Sequence, residues 1–409
     1  MNEQTFVLDL GTSKAAILAV EADVVGHPHI SAAATVPSKG VRRGQIVDVD
    51  LAAVTIDEAC RKLQQLCGRE VGTLALGLGG SHFDCTTAQG FVPVFPAGRA
   101  ITPEDILQVL NHSRQVPVSP GREQIHALPR EFRVDGKRGV REPVGTSGAK
   151  LEVLTSIVTS RSSDLADAER ATELAGRRLD QIVPVHIAAG LGVTTDADRE
   201  AGVAVIDLGA GSMTIGIFTS GGLAALASVP IGAQSVTNDI AALLKTSTDE
   251  AERLKTHHGA ALADDAGDNE SVQVLQEDHD RPRDMKRRVL CEIIECRARE
   301  LARLAADAVV GTGVAHEVRA VVVTGGGSLL KGSGNVFAEA FDGVPLSVRT
   351  PQIGGAYGPV VSKPGMAASL GLARFVFAAS ASDLVPATGD SGGWKQRVRS
   401  LLSVIGGRN

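Results

Sequence analysis

Two aspartates, Asp9 and Asp207, occupy the same place in two copies of one pattern. Val7-Leu-Asp-Leu-Gly-Thr-Ser-Lys-Ala-Ala-Ile17 and Val205-Ile-Asp-Leu-Gly-Ala-Gly-Ser-Met-Thr-Ile215 superimpose at an offset of 198 residues, with Gly11 over Gly209. Residues of these types suit a phosphate group. Glycines such as Gly11, Gly209 and Gly211 let backbone N–H groups come close to phosphate oxygens, and Thr12, Ser13, Lys14 and Ser212 add hydroxyl and ammonium donors. Mg²⁺ prefers carboxylates and water around phosphates, so Asp9 and Asp207 are candidates to hold a hydrated Mg²⁺. A third segment, Val321-Val-Val-Thr-Gly-Gly-Gly-Ser-Leu-Leu330, carries Gly325, Gly326 and Gly327 after a buried-type strand. Without side chains there, a flat adenine base can lie against backbone.

Each copy of the repeat reads as a strand, a tight turn and a second strand, so the turns present backbone donors at hairpin tips. A repeat spanning half the chain describes two related domains with a cleft between them. Other phosphate motifs are absent. No GxxxxGK[ST] occurs, and Gly77-Leu-Gly79 and Gly311-Thr-Gly313 both lack the third glycine of a dinucleotide fingerprint.

The bulk composition sets outer bounds. The chain has 409 residues, 43% hydrophobic but only 3% aromatic, so aliphatic side chains must fill sizeable cores. A net charge of −6 argues against a general nucleic-acid binder. Cys60, Cys67, Cys85, Cys291 and Cys296 form no zinc pattern and read as reduced thiols. No signal peptide is visible, and no window reaches the roughly 18 apolar residues that span a bilayer. Membrane contact is therefore expected to be peripheral.

The tail offers such a contact. Ser380 to Gly393 is rich in Ser, Ala, Asp, Gly and Pro and reads as a flexible linker. Beyond it, Trp394, Val398, Leu401, Leu402 and Ile405 fall within one sector of about 100° on a helical wheel. A helix of about 12 residues is roughly 18 Å long, too short for a hydrocarbon core of about 30 Å, so it must lie on a surface. Lys395, Arg397 and Arg399 suit anionic lipid headgroups. The alternative is a terminal helix docked on its own domain.

The three glycine segments are similar to the two phosphate motifs and the adenosine motif of the actin, Hsp70 and sugar-kinase superfamily. Within it, Ser147-Gly-Ala-Lys-Leu-Glu-Val153, Arg122 to Phe132, Ile231 to Ile240, Glu250 to Lys255 with His258-Gly259, and Ile293 to Arg297 resemble stretches of the FtsA family. The resemblance covers about Phe6 to Phe377. It implies an α/β actin-like fold of two RNase H-like domains around a nucleotide cleft, each with an inserted subdomain. Residues 1–84 and 163–193 form the first domain, 85–162 its insertion, 194–232 and 319–377 the second domain, and 233–318 the second insertion. A linker at 378–393 and the amphipathic helix at 394–407 follow. Within 85–162 the pattern predicts a strand, a helix starting at Thr102-Pro103-Glu104-Asp105, and further strands; within 233–318 it predicts helices and a loop over Asp264–Arg283.

The resemblance also implies a function. The cleft would bind ATP and Mg²⁺, with Glu252 and Lys255 at the ribose, although both also suit a solvated i,i+3 pair. The chain would self-associate into filaments and tether FtsZ filaments to the cytoplasmic face of the inner membrane at the division site, alongside later divisome proteins. The FtsZ C-terminal peptide would dock on the second insertion, where Arg287, Arg288 and Arg297 lie in a basic cluster that is either its contact or a solvated face. Two departures weaken the case for ATP hydrolysis. Val185-His186 stands where FtsA sequences usually carry Glu-Pro, and Thr214 replaces the usual Asp. His186 is either a substitute base or a core histidine. A pilus-assembly adaptor of the PilM type is the alternative on the same fold, without need of the tail.

Overall fold

The computed structural model describes residues 4–22, 28–276, 281–353 and 356–383. Strands β1 (Thr5–Leu10) and β2 (Lys14–Ala22) form an antiparallel hairpin, β3 (Pro28–Pro37) lies beside β2, and β4 (Val41–Arg42) and β5 (Gln45–Ile46) make a small separate hairpin. Helix α1 (Val49–Cys67) starts at Asp48, whose carboxylate accepts from Leu51 N at 2.9 Å, and stops at left-handed Gly68. It returns the chain to β6 (Thr73–Leu78), parallel to β1.

The chain then leaves this sheet through β7 (Phe83–Pro93), α2 (Pro103–Arg114), β8 (Arg122–Val134), β9 (Lys137–Val140) and β10 (Lys150–Arg161). These strands form a second sheet in the order β7-β10-β8-β9. Helix α2 begins where Thr102-Pro-Glu-Asp predicts, with Thr102 N donating to Asp105 at 2.8 Å. Val109, Leu110, Phe132 and Leu151 belong to a separate small core under α2. Helix α3 (Ser162–Leu174) leads back to β11 (Arg178–Pro184), and the first sheet closes in the order β11-β6-β1-β2-β3.

Helices α4 (Val185–Val193) and α5 (Asp196–Ala201) cross to the second half, where β12 (Val203–Leu208), β13 (Met213–Thr219) and β14 (Gly222–Val229) repeat the opening meander. Then come α6 (Gln234–Leu244), α7 (Thr248–His258), β15 (Ser271–Val274), β16 (Arg283–Lys286) and the long α8 (Arg287–Gly311). β17 (Ala320–Thr324), α9 (Ser333–Ala340), β18 (Leu346–Val348), α10 (Gly358–Val361) and α11 (Ala367–Asp383) finish the fold, with a sheet order β14-β13-β12-β17-β18.

Two expectations change. The polar run Asp264–Arg283 is not a loop throughout, because Ser271–Val274 alternates buried and exposed residues and pairs with Arg283–Lys286. Helix α11 continues to Asp383, into the stretch assigned to a linker from 378. Residues 384–393 and the amphipathic helix at 394–407 lie outside the described residues. Among the described residues no helix is long and apolar enough to cross a membrane.

One hydrophobic core runs through both halves. It joins Val7, Leu18 and Ala75 of the first sheet to Val205 and Val322 of the second, with Ile187 and Ala188 of α4 and Leu370 of α11 between them. The two helices touch through backbone: a Cβ on Gly371 would lie 1.6 Å from Ala188 O, and one on Gly192 would lie 2.1 Å from Ala367 O. Glycine is the residue that lets them cross this closely.

Candidate functional site

The sequence repeat becomes a structural one. Leu10 faces Ala15 across the first hairpin and Leu208 faces Met213 across the second. Gly11 N donates to Lys14 O at 3.0 Å, and Gly209 N donates to Ser212 O at 3.1 Å, so equivalent bonds close both turns. The tips meet across the cleft. A Cβ on Gly211 would lie 2.7 Å from Thr12 Oγ1, which also accepts from Gly44 N at 3.2 Å. The start of α6 is tied to the second tip, with Ala233 N donating to Gly209 O and Gln234 N to Ala210 O, each at 2.9 Å.

Between the tips and α7 to α9 lies a cavity of about 780 Å³. It brings together Asp9, Gly11, Thr12, Ser13 and Lys14 from the first hairpin with Asp207, Gly209, Gly211 and Ser212 from the second. Glu252 and Lys255 of α7 and the Gly326-Gly327 turn also line it. Gly325 stands just behind. Its φ is +87°, and a Cβ there would lie 2.1 Å from Asp207 Oδ1, so glycine is needed for the turn to pass the aspartate. Val236, Ala298, Leu301, Leu330 and Phe337 give one end of the cavity an apolar wall. An apolar slot beside a donor-rich end is the division that a nucleoside with phosphates requires.

Electrostatics separate the two aspartates from ordinary surface carboxylates. Both are half-buried and open only into the cleft. Packing around Asp9 pushes its pKa up to about 6, against the opposing pull of Lys14 and a hydrogen bond from Ser369 Oγ at 3.1 Å. Packing and the charge of Asp9 together push Asp207 up to about 7, again opposed by Lys14. Two packed carboxylates, one of them raised further by the charge of the other, are a favourable place for a cation. Among the described residues no group of three or more His, Cys, Asp or Glu side chains is placed to hold a metal. A Mg²⁺ here would need phosphate oxygens and water to complete its shell. Thr214 also lines the cavity, but its hydroxyl is buried without a hydrogen-bond partner among the described residues.

At the ribose end both readings of Glu252 and Lys255 hold together. Lys255 Nζ donates to Glu252 Oε2 at 2.6 Å and to Thr237 Oγ1 at 2.9 Å, yet both residues line the cavity. His186 is a core histidine. It is 1% exposed, its Nε2 meets Ser228 Oγ at 2.7 Å, its ring packs edge-on to Phe83, and burial holds its pKa down to about 3. The residue facing the cavity is Val185.

The basic cluster is not a free cationic face. Arg297 bonds Asp239 of α6 at 2.6 and 3.0 Å and also pairs with Glu300. Arg288 pairs with Asp264 and Glu292. Arg287 pairs with Glu270 and turns towards the cleft, which it lines. Sequence reasoning missed Gly44, Gly79, Gly365 and Ser369 at the site, since each reaches the cleft only through tertiary packing. The one signal was the glycine at the end of β6.

Comparison with known proteins follows the same lines. A family profile described as "Cell division protein FtsA" matches residues 204–371, and one described as "SHS2 domain inserted in FTSA" matches residues 80–159. Over 348 residues the chain is 32% identical to the cell division protein FtsA of Pseudomonas aeruginosa, covering 84% of this chain and 83% of that protein. Over 354 residues it is 29% identical to the FtsA of Escherichia coli K12, covering 83% and 84%. Among solved structures, the PilM–PilN type IV pilus biogenesis complex aligns with a TM-score of 0.61 at 16% identity, covering 91% of this chain and 98% of that chain. MreB5 of Spiroplasma citri bound to ADP aligns at 0.54 and 12%, covering 92% and 97%. At these identities the structural likeness establishes an actin-like fold alone.

Proposed function

The chain belongs to the FtsA family of cell-division proteins, and from that premise we propose that it is an ATP-binding, filament-forming tether that holds FtsZ filaments to the cytoplasmic face of the inner membrane. The observation that carries the nucleotide half of this reading is the convergence of two equivalent hairpins, each with a half-buried aspartate, on one cavity with an apolar end. A fold relative, MreB5, was solved with ADP, which supports the same assignment.

In this reading Gly11, Thr12, Ser13, Gly209, Gly211 and Ser212 hold the phosphates through backbone and hydroxyl donors. Lys14 balances charge, and Asp9 and Asp207 hold the hydrated Mg²⁺. Mg²⁺·ATP would supply an anionic bridge contacting both halves of the chain at once. Val185 and Thr214 face that bridge without a carboxylate to orient water, so turnover is slow or absent.

The tether half rests on the segment 394–407, with Trp394, Val398, Leu401, Leu402 and Ile405 as apolar anchors. Five anchors on one short helix give marginal binding. A filament links many such helices and raises retention without any new contact. FtsZ filaments, held through their C-terminal peptides on the second insertion, and later divisome proteins would then gather at one place.

The test is co-sedimentation with vesicles containing anionic lipid, comparing the intact chain, a chain ending at Asp390 and Asp9→Asn, each with Mg²⁺·ATP. The intact chain pellets, the shortened chain stays in solution, and Asp9→Asn pellets weakly because it does not assemble. Equal pelleting of the first two would remove the tail from the mechanism.

A further inference from the structure

Arg287 serves two places at once. It is the first residue of α8, lines the cavity, and follows directly on Lys286, the residue of β16 that pairs with Ser271 at the base of the β15–β16 hairpin. Its backbone N donates to Glu270 O at 2.9 Å, its Nε to His258 O at 2.7 Å and its Nη1 to Asp265 O at 3.2 Å, while its guanidinium pairs with the Glu270 carboxylate. One side chain therefore gathers three points of the segment 258–270, which connects α7 to β15.

The same segment has a second attachment at the cleft. Ala261 N donates to Lys331 O at 2.7 Å and the Lys331 ammonium lies 3.8 Å from Asp265, and Lys331 too lines the cavity. Its upstream end is α7, which brings Lys255, Thr256 and His257 to the cavity. So the strap from α7 to the hairpin is held at its start, middle and end by cavity-lining residues. The hairpin has only two strands, and it is held on one face by Val272 and Val274 packed into the second-half core and at its base by the strap. Its order therefore depends in part on how firmly its base is held.

We infer that Arg287 is a ligand-contacting positioning residue that carries occupancy of the nucleotide cleft to the β15–β16 hairpin. The inference rests on the nucleotide reading of the cleft. A nucleotide that packs against Arg287 and the end of α7 restrains the guanidinium that holds His258, Asp265 and Glu270, and the hairpin base tightens with it. Among the described residues Arg287 Nη2 has no hydrogen-bond partner, which leaves its two N–H groups for the ligand.

The experiment is hydrogen–deuterium exchange of the full chain with and without Mg²⁺·ATPγS, with binding measured by calorimetry on the same samples, for wild type, Arg287→Lys and Arg287→Met. In wild type, ATPγS slows exchange across 271–276 and 283–286. Arg287→Met binds about tenfold more weakly, the scale of one lost charge-assisted hydrogen bond, and at saturation shows no slowing in the hairpin. Arg287→Lys keeps the charge without the fork and shows a reduced response. Binding to wild type with no change in hairpin exchange overturns the inference and leaves the nucleotide reading standing. So does a full hairpin response at saturation in both variants. Absence of any ATPγS binding to wild type overturns the nucleotide reading itself, and this inference with it.

Discussion

Replacing Asp207 by Asn should make the nucleotide-free protein more stable as pH rises, while abolishing its response to Mg²⁺·ATP. Folding raises the Asp207 carboxyl from an ordinary 3.8 to about 7. A carboxyl whose pKa is raised by folding contributes stability below its unfolded value and loses it as pH climbs through the folded value, so the window runs from about pH 4 to about pH 7. At 1.36 kcal/mol per pKa unit the full cost of ionising Asp207 in the fold is about 4 kcal/mol. The side chain keeps partial contact with solvent in the cleft, which screens the charge and brings the expected cost nearer to 2 kcal/mol. Asn has nearly the same shape and never ionises. Measured by melting of the nucleotide-free chain from about pH 5 to about pH 8, the gap between Asp207→Asn and wild type should widen with pH to about 4 °C. Mg²⁺·ATP should then raise the melting point of wild type alone. A gap that stays flat or narrows as pH rises would refute the picture of two carboxylates held together at a cost for the sake of a cation.

Two further outcomes test the geometry elsewhere. Gly211→Val places a side chain 2.7 Å from Thr12 Oγ1, forces the hairpin tips apart, and should weaken ATP binding about tenfold or more with little change in melting, as read by calorimetry. His186→Ala removes a buried ring and its bond to Ser228, and should lower stability by about 2 kcal/mol while leaving any ATP turnover unchanged; lost turnover at constant stability would restore His186 as a base.

The part of the site that could be read from sequence is the part built by local chain geometry. A hairpin turn needs its glycines and its flanking β-branched residues wherever it lies, so Asp9, Gly11, Asp207 and Gly209 could be placed before any fold was known. The α2 start was legible for the same reason, because Thr102 and Asp105 cap within four residues. Ser369 and Gly365 come to the cleft from about 350 residues away, by the return of the chain into α11, and no local signal marks them. The arginines show a different limit. Arg287, Arg288 and Arg297 cluster in sequence and so suggested a basic face. On a helix they point in different directions, and Glu270, Asp264 and Asp239 meet them from other elements. Charge in a sequence does not reveal its partners. The β15–β16 pair was hidden by its polar composition, since only Val272 and Val274 of the first strand are buried.

The arrangement between the halves bears on what a nucleotide would do in the proposed cleft. A motor that opens and closes on hydrolysis needs a hinge with room to move and a group that activates water. In this chain α4 and α11 cross at backbone contact through Gly192 and Gly371, and one continuous core passes between the two sheets. Ser228 of β14 reaches across to Gly80 O at 2.8 Å, and Ser156 of the first insertion donates to Leu223 O of the second half. Those bonds resist wide opening, and Val185 and Thr214 offer no carboxylate to water. The nucleotide is then better placed to act as a pin than as a fuel. Its Mg²⁺ would offset the charge of the two carboxylates, its phosphates would join the hairpin tips, and the protomer would hold one shape for as long as the pair stays bound. The proposed tether, gaining its grip from many linked copies, would need that persistence more than a cycle.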